Sequence, residues 1–132
     1  MAAAQRAGLL AACHDCSDGG LAVAVAEMAI AGGSAARIEL ANVPLQSAGS
    51  AANGSALHSD LTIAFTETPG RFVCEVPAAV VDRFAAHMNQ IPPSHTEHVP
   101  WAWIGEVIAG SELEIVSTTG TIAAVPLAMS SP

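Results

Sequence analysis

The order of apolar and polar positions along the 132-residue chain predicts alternating helices and strands. The clearest helix covers residues 21–31, which are apolar on nearly every face, and it ends at Gly32-Gly33, a pair typical of helix C-termini. A helix without a polar face is expected to be buried on both sides, in the core or at an interface. Further helices are expected at residues 2–10 and, after Pro77, at residues 78–88.

Short runs of apolar and β-branched residues predict the strands. We expect strands at residues 11–15, 37–42, 71–76, 101–107, 112–116 and 121–125. Residues 44–59, rich in serine, glycine and alanine, are expected to form a loop, with a short helix near residues 56–62. These elements predict an α+β domain with one mixed or antiparallel sheet covered by helices.

Residues 14–20, HDCSDGG, run from the end of the first strand to the start of the apolar helix and carry the candidate chemistry. Ser17 or Asp18 is expected to be the N-cap, because its side-chain oxygen can accept from first-turn N–H groups. Gly19 and Gly20 leave those N–H groups uncovered, so an anion could approach the positive end of the helix dipole. The turn is therefore a candidate phosphate site.

Asp15 lies directly before this turn. Magnesium prefers carboxylate oxygen, so Asp15 could hold a divalent cation beside a bound phosphate. The alternative is ordinary turn chemistry, since serine, aspartate and glycine also build turns and capped helices that bind nothing.

Composition narrows the classes of partner. The net charge is −8, and the four cationic residues are arginines, so no basic patch for nucleic acid or anionic membranes is expected. Apolar residues make up 52% and charged residues 12%, which indicates that part of the surface is an interface to other domains or to a second copy through the apolar helix. Three cysteines give no even disulfide framework, and a cytoplasmic location is expected.

A zinc site is an alternative use of the cysteines. Cys13 and Cys16, with His95 and His98, have the spacing of two ligand pairs. The cysteines flank a strand-to-helix turn and the histidines lie in a proline-rich stretch, which is not the compact knuckle of structural zinc. We do not expect zinc there, and the role of both pairs stays open.

The longer string HDCSDGGLAVAVAEMA, residues 14–29, closely resembles the C-terminal domain of the phosphoribosylformylglycinamidine synthase family, in the aminoimidazole ribonucleotide synthetase superfamily. Later blocks at residues 31–40, 65–72 and 104–107 keep the family order. The resemblance covers nearly the whole chain. It implies the α+β fold, one C-terminal synthetase-type domain over residues 1–132, and a place in a larger enzyme.

The resemblance implies a function for that enzyme. Members of the family are ATP-dependent ligases of purine biosynthesis that convert formylglycinamide ribonucleotide to formylglycinamidine ribonucleotide, using ammonia from a glutaminase domain or subunit. It implies that Asp15 binds Mg²⁺ and that Ser17 contacts ATP or ADP. The local chemistry adds Asp18, Gly19 and Gly20 to the nucleotide-binding set.

One departure from the family affects the expected role. The catalytic half of the family carries a glutamate-serine-glutamine triplet that binds the ribonucleotide substrate, whereas this chain has Glu67, Thr68 and Pro69. Proline cannot supply the amide contacts of glutamine. The resemblance therefore implies the second, non-catalytic half, with an auxiliary nucleotide and no catalytic residue in this chain. Glu67 and Arg71 are expected to pair with each other.

Two other functions remain open on the sequence. The chain could be a non-catalytic, dimerising scaffold of the same fold that holds no ligand. It could also be a kinase or a selenium- or hydrogenase-maturation relative within the superfamily, although the string at residues 14–28 matches the purine enzyme better.

Overall fold

The computed structural model of the chain describes residues 1–44, 60–90, 99–117 and 120–127. Its helices are α1 (Ala2–Arg6), α2 (Gly20–Gly32), α3 (Asp60–Phe65) and α4 (Val81–Asn89). Its strands are β1 (Ala12–Asp15), β2 (Ala35–Glu39), β3 (Phe72–Glu75), β4 (Gly105–Ile108), β5 (Glu112–Ser117) and β6 (Gly120–Pro126). The α+β class predicted from the sequence is confirmed.

The strands form two sheets, where the sequence had predicted one. The larger is mixed, in the order β4-β2-β5-β6, with β2 parallel to β5 and the other pairs antiparallel. The smaller is the antiparallel pair β1 and β3. The apolar pattern of a strand indicates which face is buried but not which strand it bonds to, so the division into two sheets could not be predicted from it.

Helix α2 joins the two sheets into one core. Its buried residues pack in a cluster with Ile38 of β2 and with Leu113 and Ile115 of β5, and Val73 of β3 packs against the same cluster. The hydrophobic core is therefore continuous, although no described strand of one sheet pairs with a strand of the other. Most of the apolar surface of α2 is covered within the chain, and Ile30, 47% exposed, is the large apolar side chain left open on it.

Local signals place the ends of two helices. Helix α2 ends before Gly33, whose φ of 61° and N–H bond to Ile30 O form a left-handed C-cap, as the glycine pair predicts. Helix α1 is shorter than predicted and ends at Arg6, because Gly8 adopts a φ of 65° and turns the chain. Leu9 then packs with Phe84 and Met88 of α4 in a second small cluster.

Two further sequence expectations fall partly on residues that the structure does not describe. The expected loop over residues 44–59 lies outside the described residues except for Pro44. The expected short helix near residues 56–62 overlaps α3 only over residues 60–62. Within the described ranges, no helix is long and apolar enough to span a membrane.

Candidate functional site

The predicted site residues lie in and beside the turn between β1 and α2. Asp15 ends β1, and α2 begins at Gly20 with Gly19 as its N-cap. The prediction that Ser17 or Asp18 caps the helix is wrong, since the N-cap residue is Gly19 and neither of those side chains bonds to the first turn. The reason is the backbone: Gly19 and Gly20 have φ values of 76° and 71°, so the helix starts later and leaves Ser17 and Asp18 exposed in the turn.

Gly20 is buried against another element rather than open to solvent. A Cβ added to it would lie 2.7 Å from the carbonyl carbon of Phe65, at the end of α3. Its glycine character is therefore needed for close approach of two backbones, in addition to the positive φ. The role of Gly20 toward a nucleotide stays a prediction.

Glu67 occupies the N-terminus of α2. Its Oε1 accepts a hydrogen bond of 3.0 Å from the N–H of Gly19, 48 residues away in sequence. A carboxylate at this place is favoured because the helix dipole is positive there. An anionic ligand at the Gly19 N–H would therefore have to displace Glu67.

The expected pairing of Glu67 with Arg71 is wrong. Arg71 Nη1 instead donates to the carbonyl oxygen of Ile63 at 3.2 Å, which ties the start of β3 to α3. The contact between Glu67 and Gly19 had no signal in the sequence, because it depends on which acidic residue the tertiary fold places beside the helix N-terminus. The one related observation was that Glu67 lies in the block at residues 65–72, which keeps the family order.

Asp15 presents an ionised carboxylate to solvent. Its side chain is 57% exposed. A hydrogen bond from the Ser17 side chain, with smaller contributions from its own backbone N–H and from His14, holds the pKa of the Asp15 carboxyl below its usual value. At neutral pH the group is therefore charged, exposed and able to accept a cation.

His14 fixes the backbone next to this carboxylate. Its Nδ1 donates to the carbonyl oxygen of Asp15 at 2.6 Å, and its Nε2 lies 3.0 Å from Oε2 of Glu27 on α2. The imidazole thus connects the backbone of the last residue of β1 with Glu27 of α2.

The donor set suits magnesium only if the ligand supplies oxygens as well. Among the described residues, no three His, Cys, Asp or Glu side chains converge on one point. Mg²⁺ is commonly held by one or two carboxylates together with phosphate and water oxygens, so Asp15 beside a phosphate fits that pattern. Asp15 would hold the ion, and the ion would neutralise phosphate charge.

The two cysteines of the zinc alternative, which the sequence did not favour, do not lie side by side as a ligand pair. Cys16 is 1% exposed within the core, and burial raises the pKa of its thiol. Cys13 is exposed and lies against Cys74 rather than Cys16. His95 and His98 lie outside the described residues.

Comparisons with known proteins agree with this fold. The model of the family described as AIR synthase related protein, C-terminal domain, matches residues 1–117. Phosphoribosylformylglycinamidine synthase subunit PurL of Chelativorans sp. is 39% identical over 110 residues, 83% of this chain and 12% of that protein.

Solved structures show the same architecture. Thermotoga maritima PurL complexed with ADP superposes with a TM-score of 0.73 at 18% identity, over 95% of this chain and 19% of that one. The Thermotoga maritima PurLQS structure superposes with a TM-score of 0.72 at 18% identity, over the same shares of the two chains. The chain spans about a tenth of the length of the curated relatives it matches. Because the family match extends over residues 1–117, the chain belongs to the family of AIR synthase related protein C-terminal domains.

Proposed function

We propose that the chain is the C-terminal domain of a phosphoribosylformylglycinamidine synthase and that its β1–α2 turn holds a magnesium nucleotide. The observation that carries this is the exposed, ionised Asp15 at the end of β1, where the turn leading to the glycine-capped N-terminus of α2 begins. A cation on Asp15 and the backbone N–H groups at the N-terminus of α2 would supply the two kinds of contact that bind a phosphate. Ser17 and Asp18, exposed in the turn, complete the proposed set with Gly19 and Gly20.

The enzyme that contains this domain is proposed to be an ATP-dependent ligase. It would convert formylglycinamide ribonucleotide, ATP and glutamine-derived ammonia to formylglycinamidine ribonucleotide in purine biosynthesis. The relatives reported above are PurL subunits, which favours this reaction over a kinase or a selenium- or hydrogenase-maturation role. A cytoplasmic location stays a prediction.

The nucleotide in this domain is proposed to be auxiliary. Phosphoryl transfer depends on cationic groups that stabilise the transferred phosphate. The sequence contains no lysine, and Arg71 is engaged with the backbone of Ile63. We therefore expect the 132-residue chain by itself to bind without catalysing the reaction.

The partners are proposed to be the other domains of the synthase, with a glutaminase domain or subunit. The chain superposes on part of the solved structure of PurLQS from Thermotoga maritima, and this supports association with further components. The surface offers apolar area for such contacts, because Leu61, Phe65 and Phe72 are each about half exposed or more. A homodimer through α2 has less support, since Ile30 is the large apolar side chain that remains open on that helix.

A scaffold that holds no ligand is the second candidate. The contact between Glu67 and the Gly19 N–H favours it, because that bond satisfies part of the helix N-terminus without any phosphate. The two candidates differ in whether Mg²⁺ and nucleotide together can displace Glu67.

Calorimetric titration of the 132-residue chain with ADP separates them. We expect binding in the presence of Mg²⁺ and at least ~10-fold weaker binding in EDTA, because the metal would link phosphate to Asp15. Circular dichroism would establish that the chain is folded in both buffers. A folded chain that binds no Mg-ADP, or binds ADP equally in EDTA, would contradict the proposed site and favour the scaffold.

A further inference from the structure

Two cysteines face each other across the small sheet. Cys13 of β1 is directly opposite Cys74 of β3 in the antiparallel register, and their Sγ atoms are 3.3 Å apart. Directly opposite residues of an antiparallel pair project from the same face of the sheet. The backbone pairing therefore places the two thiols side by side on the same face of the sheet.

The register also provides suitable backbone spacing. The N–H of Cys16 donates to the carbonyl oxygen of Arg71, which makes that opposite pair a hydrogen-bonded one. Bonded and non-bonded pairs alternate along the ladder, so Cys13 and Cys74, three positions back, form a non-hydrogen-bonded pair. Cα atoms in such pairs are ~4.5 Å apart, within the range of ~4.4–6.8 Å that a disulfide spans.

The surroundings give the pair an accessible and a shielded member. Cys13 is exposed, whereas Cys74 is half-buried and its Sγ lies 3.4 Å from Sδ of Met1. Burial, followed by the hydrogen bond with Cys13, raises the pKa of the Cys74 thiol to about 12. The third cysteine, Cys16, is buried in the main core.

We propose that Cys13 and Cys74 form a reversible disulfide by exchange with a low-molecular-weight disulfide such as oxidised glutathione. The Cys13 thiolate attacks one glutathione sulfur, forms a mixed disulfide and releases a glutathione thiolate that takes up a proton. The Cys74 thiol then loses its proton to solvent, and the thiolate attacks the Cys13 sulfur and releases the second glutathione as a thiolate that takes up a proton. Two electrons pass from the cysteine thiols to the glutathione disulfide, which is reduced.

The bond would fasten the two strands of the small sheet. It closes the chain between residues 13 and 74 and so restricts the unfolded state, and we expect the melting temperature to rise by on the order of 10 °C. The proposal does not depend on the nucleotide site, and a failure of Mg-ADP binding would leave it unchanged.

Peptide mapping tests the pairing directly. The chain is incubated with oxidised glutathione, denatured, treated with iodoacetamide and digested with trypsin. Cleavage at the four arginines yields peptide 7–37, with Cys13 and Cys16, and peptide 72–83, with Cys74. We expect these peptides to be joined by one disulfide, with Cys16 alkylated, in a protein of monomer mass that dithiothreitol returns to three free thiols.

Three variants assign the bond and control for it. Cys16→Ser is expected to keep the cross-link and the higher melting temperature, and both Cys13→Ser and Cys74→Ser are expected to lose them. A bond between Cys13 and Cys16 within peptide 7–37, a disulfide-linked dimer, or a Cys13–glutathione adduct that never transfers to Cys74 would each overturn the proposal. The wild-type map decides the matter even if a variant fails to fold.

Discussion

The Asp15→Asn variant is expected to bind Mg-ADP at least ~10- to 100-fold more weakly than the parent chain. Replacing a residue that only hydrogen-bonds to a metal ligand already lowers metal affinity by about that factor. Asparagine keeps the size of the side chain and an oxygen that can accept from Ser17, but it loses the charge that attracts the cation. Asp15 is exposed, so the exchange leaves the core unchanged. Calorimetry in Mg²⁺ buffer measures the difference.

Asp82→Asn is the matched control for that comparison. It makes the same chemical change at an exposed position in the first turn of α4, outside the proposed site. We expect it to bind as the parent does. Equal affinities of the Asp15 and Asp82 variants would remove Asp15 from the proposed metal site.

Replacing Gly20 by alanine is expected to destabilise the fold by roughly 2–5 kcal/mol, the sum of a strained backbone and an overpacked contact. Gly20 has a φ of 71°, and a Cβ would lie 2.7 Å from the carbonyl carbon of Phe65, a backbone atom that no side-chain rotation can move aside. The free energy of unfolding in urea, with circular dichroism as the signal, measures the loss.

Gly70→Ala separates the two contributions. Gly70 has a similar φ of 79°, but a Cβ there meets no atom within 4 Å. We expect it to cost only the conformational part, on the order of 1–2 kcal/mol. If the two variants lost the same amount, the contact with the backbone of Phe65 would add nothing to the cost of a Cβ at residue 20.

Features set by neighbouring residues were predictable from the sequence. The expected helix at residues 21–31 is found at Gly20–Gly32, and the expected strand at residues 71–76 is found at Phe72–Glu75. An apolar run and a glycine pair act within a few residues, so their effect is visible in the local pattern. The exposed position of Asp15 at the strand end follows from the same local order.

Features set by distant residues were not predictable. The division into two sheets depends on β1 pairing with β3, about sixty residues later in the chain. The cap at Gly19 depends on two positive φ values and on Glu67, which arrives from beyond α3. The opposition of Cys13 and Cys74 follows from the register of β1 and β3 and has no local signature.

The most direct test of the proposed nucleotide site is an NMR titration of the ¹⁵N-labelled chain with Mg-ADP. The amide of Gly19 now donates to Glu67, so exchange of that carboxylate for a phosphate should shift the Gly19 signal more than those of α4. We expect saturable shifts confined to the β1–α2 turn and to Glu67. Shifts centred elsewhere, or an unchanged Gly19 amide in a chain that binds Mg-ADP, would contradict the account.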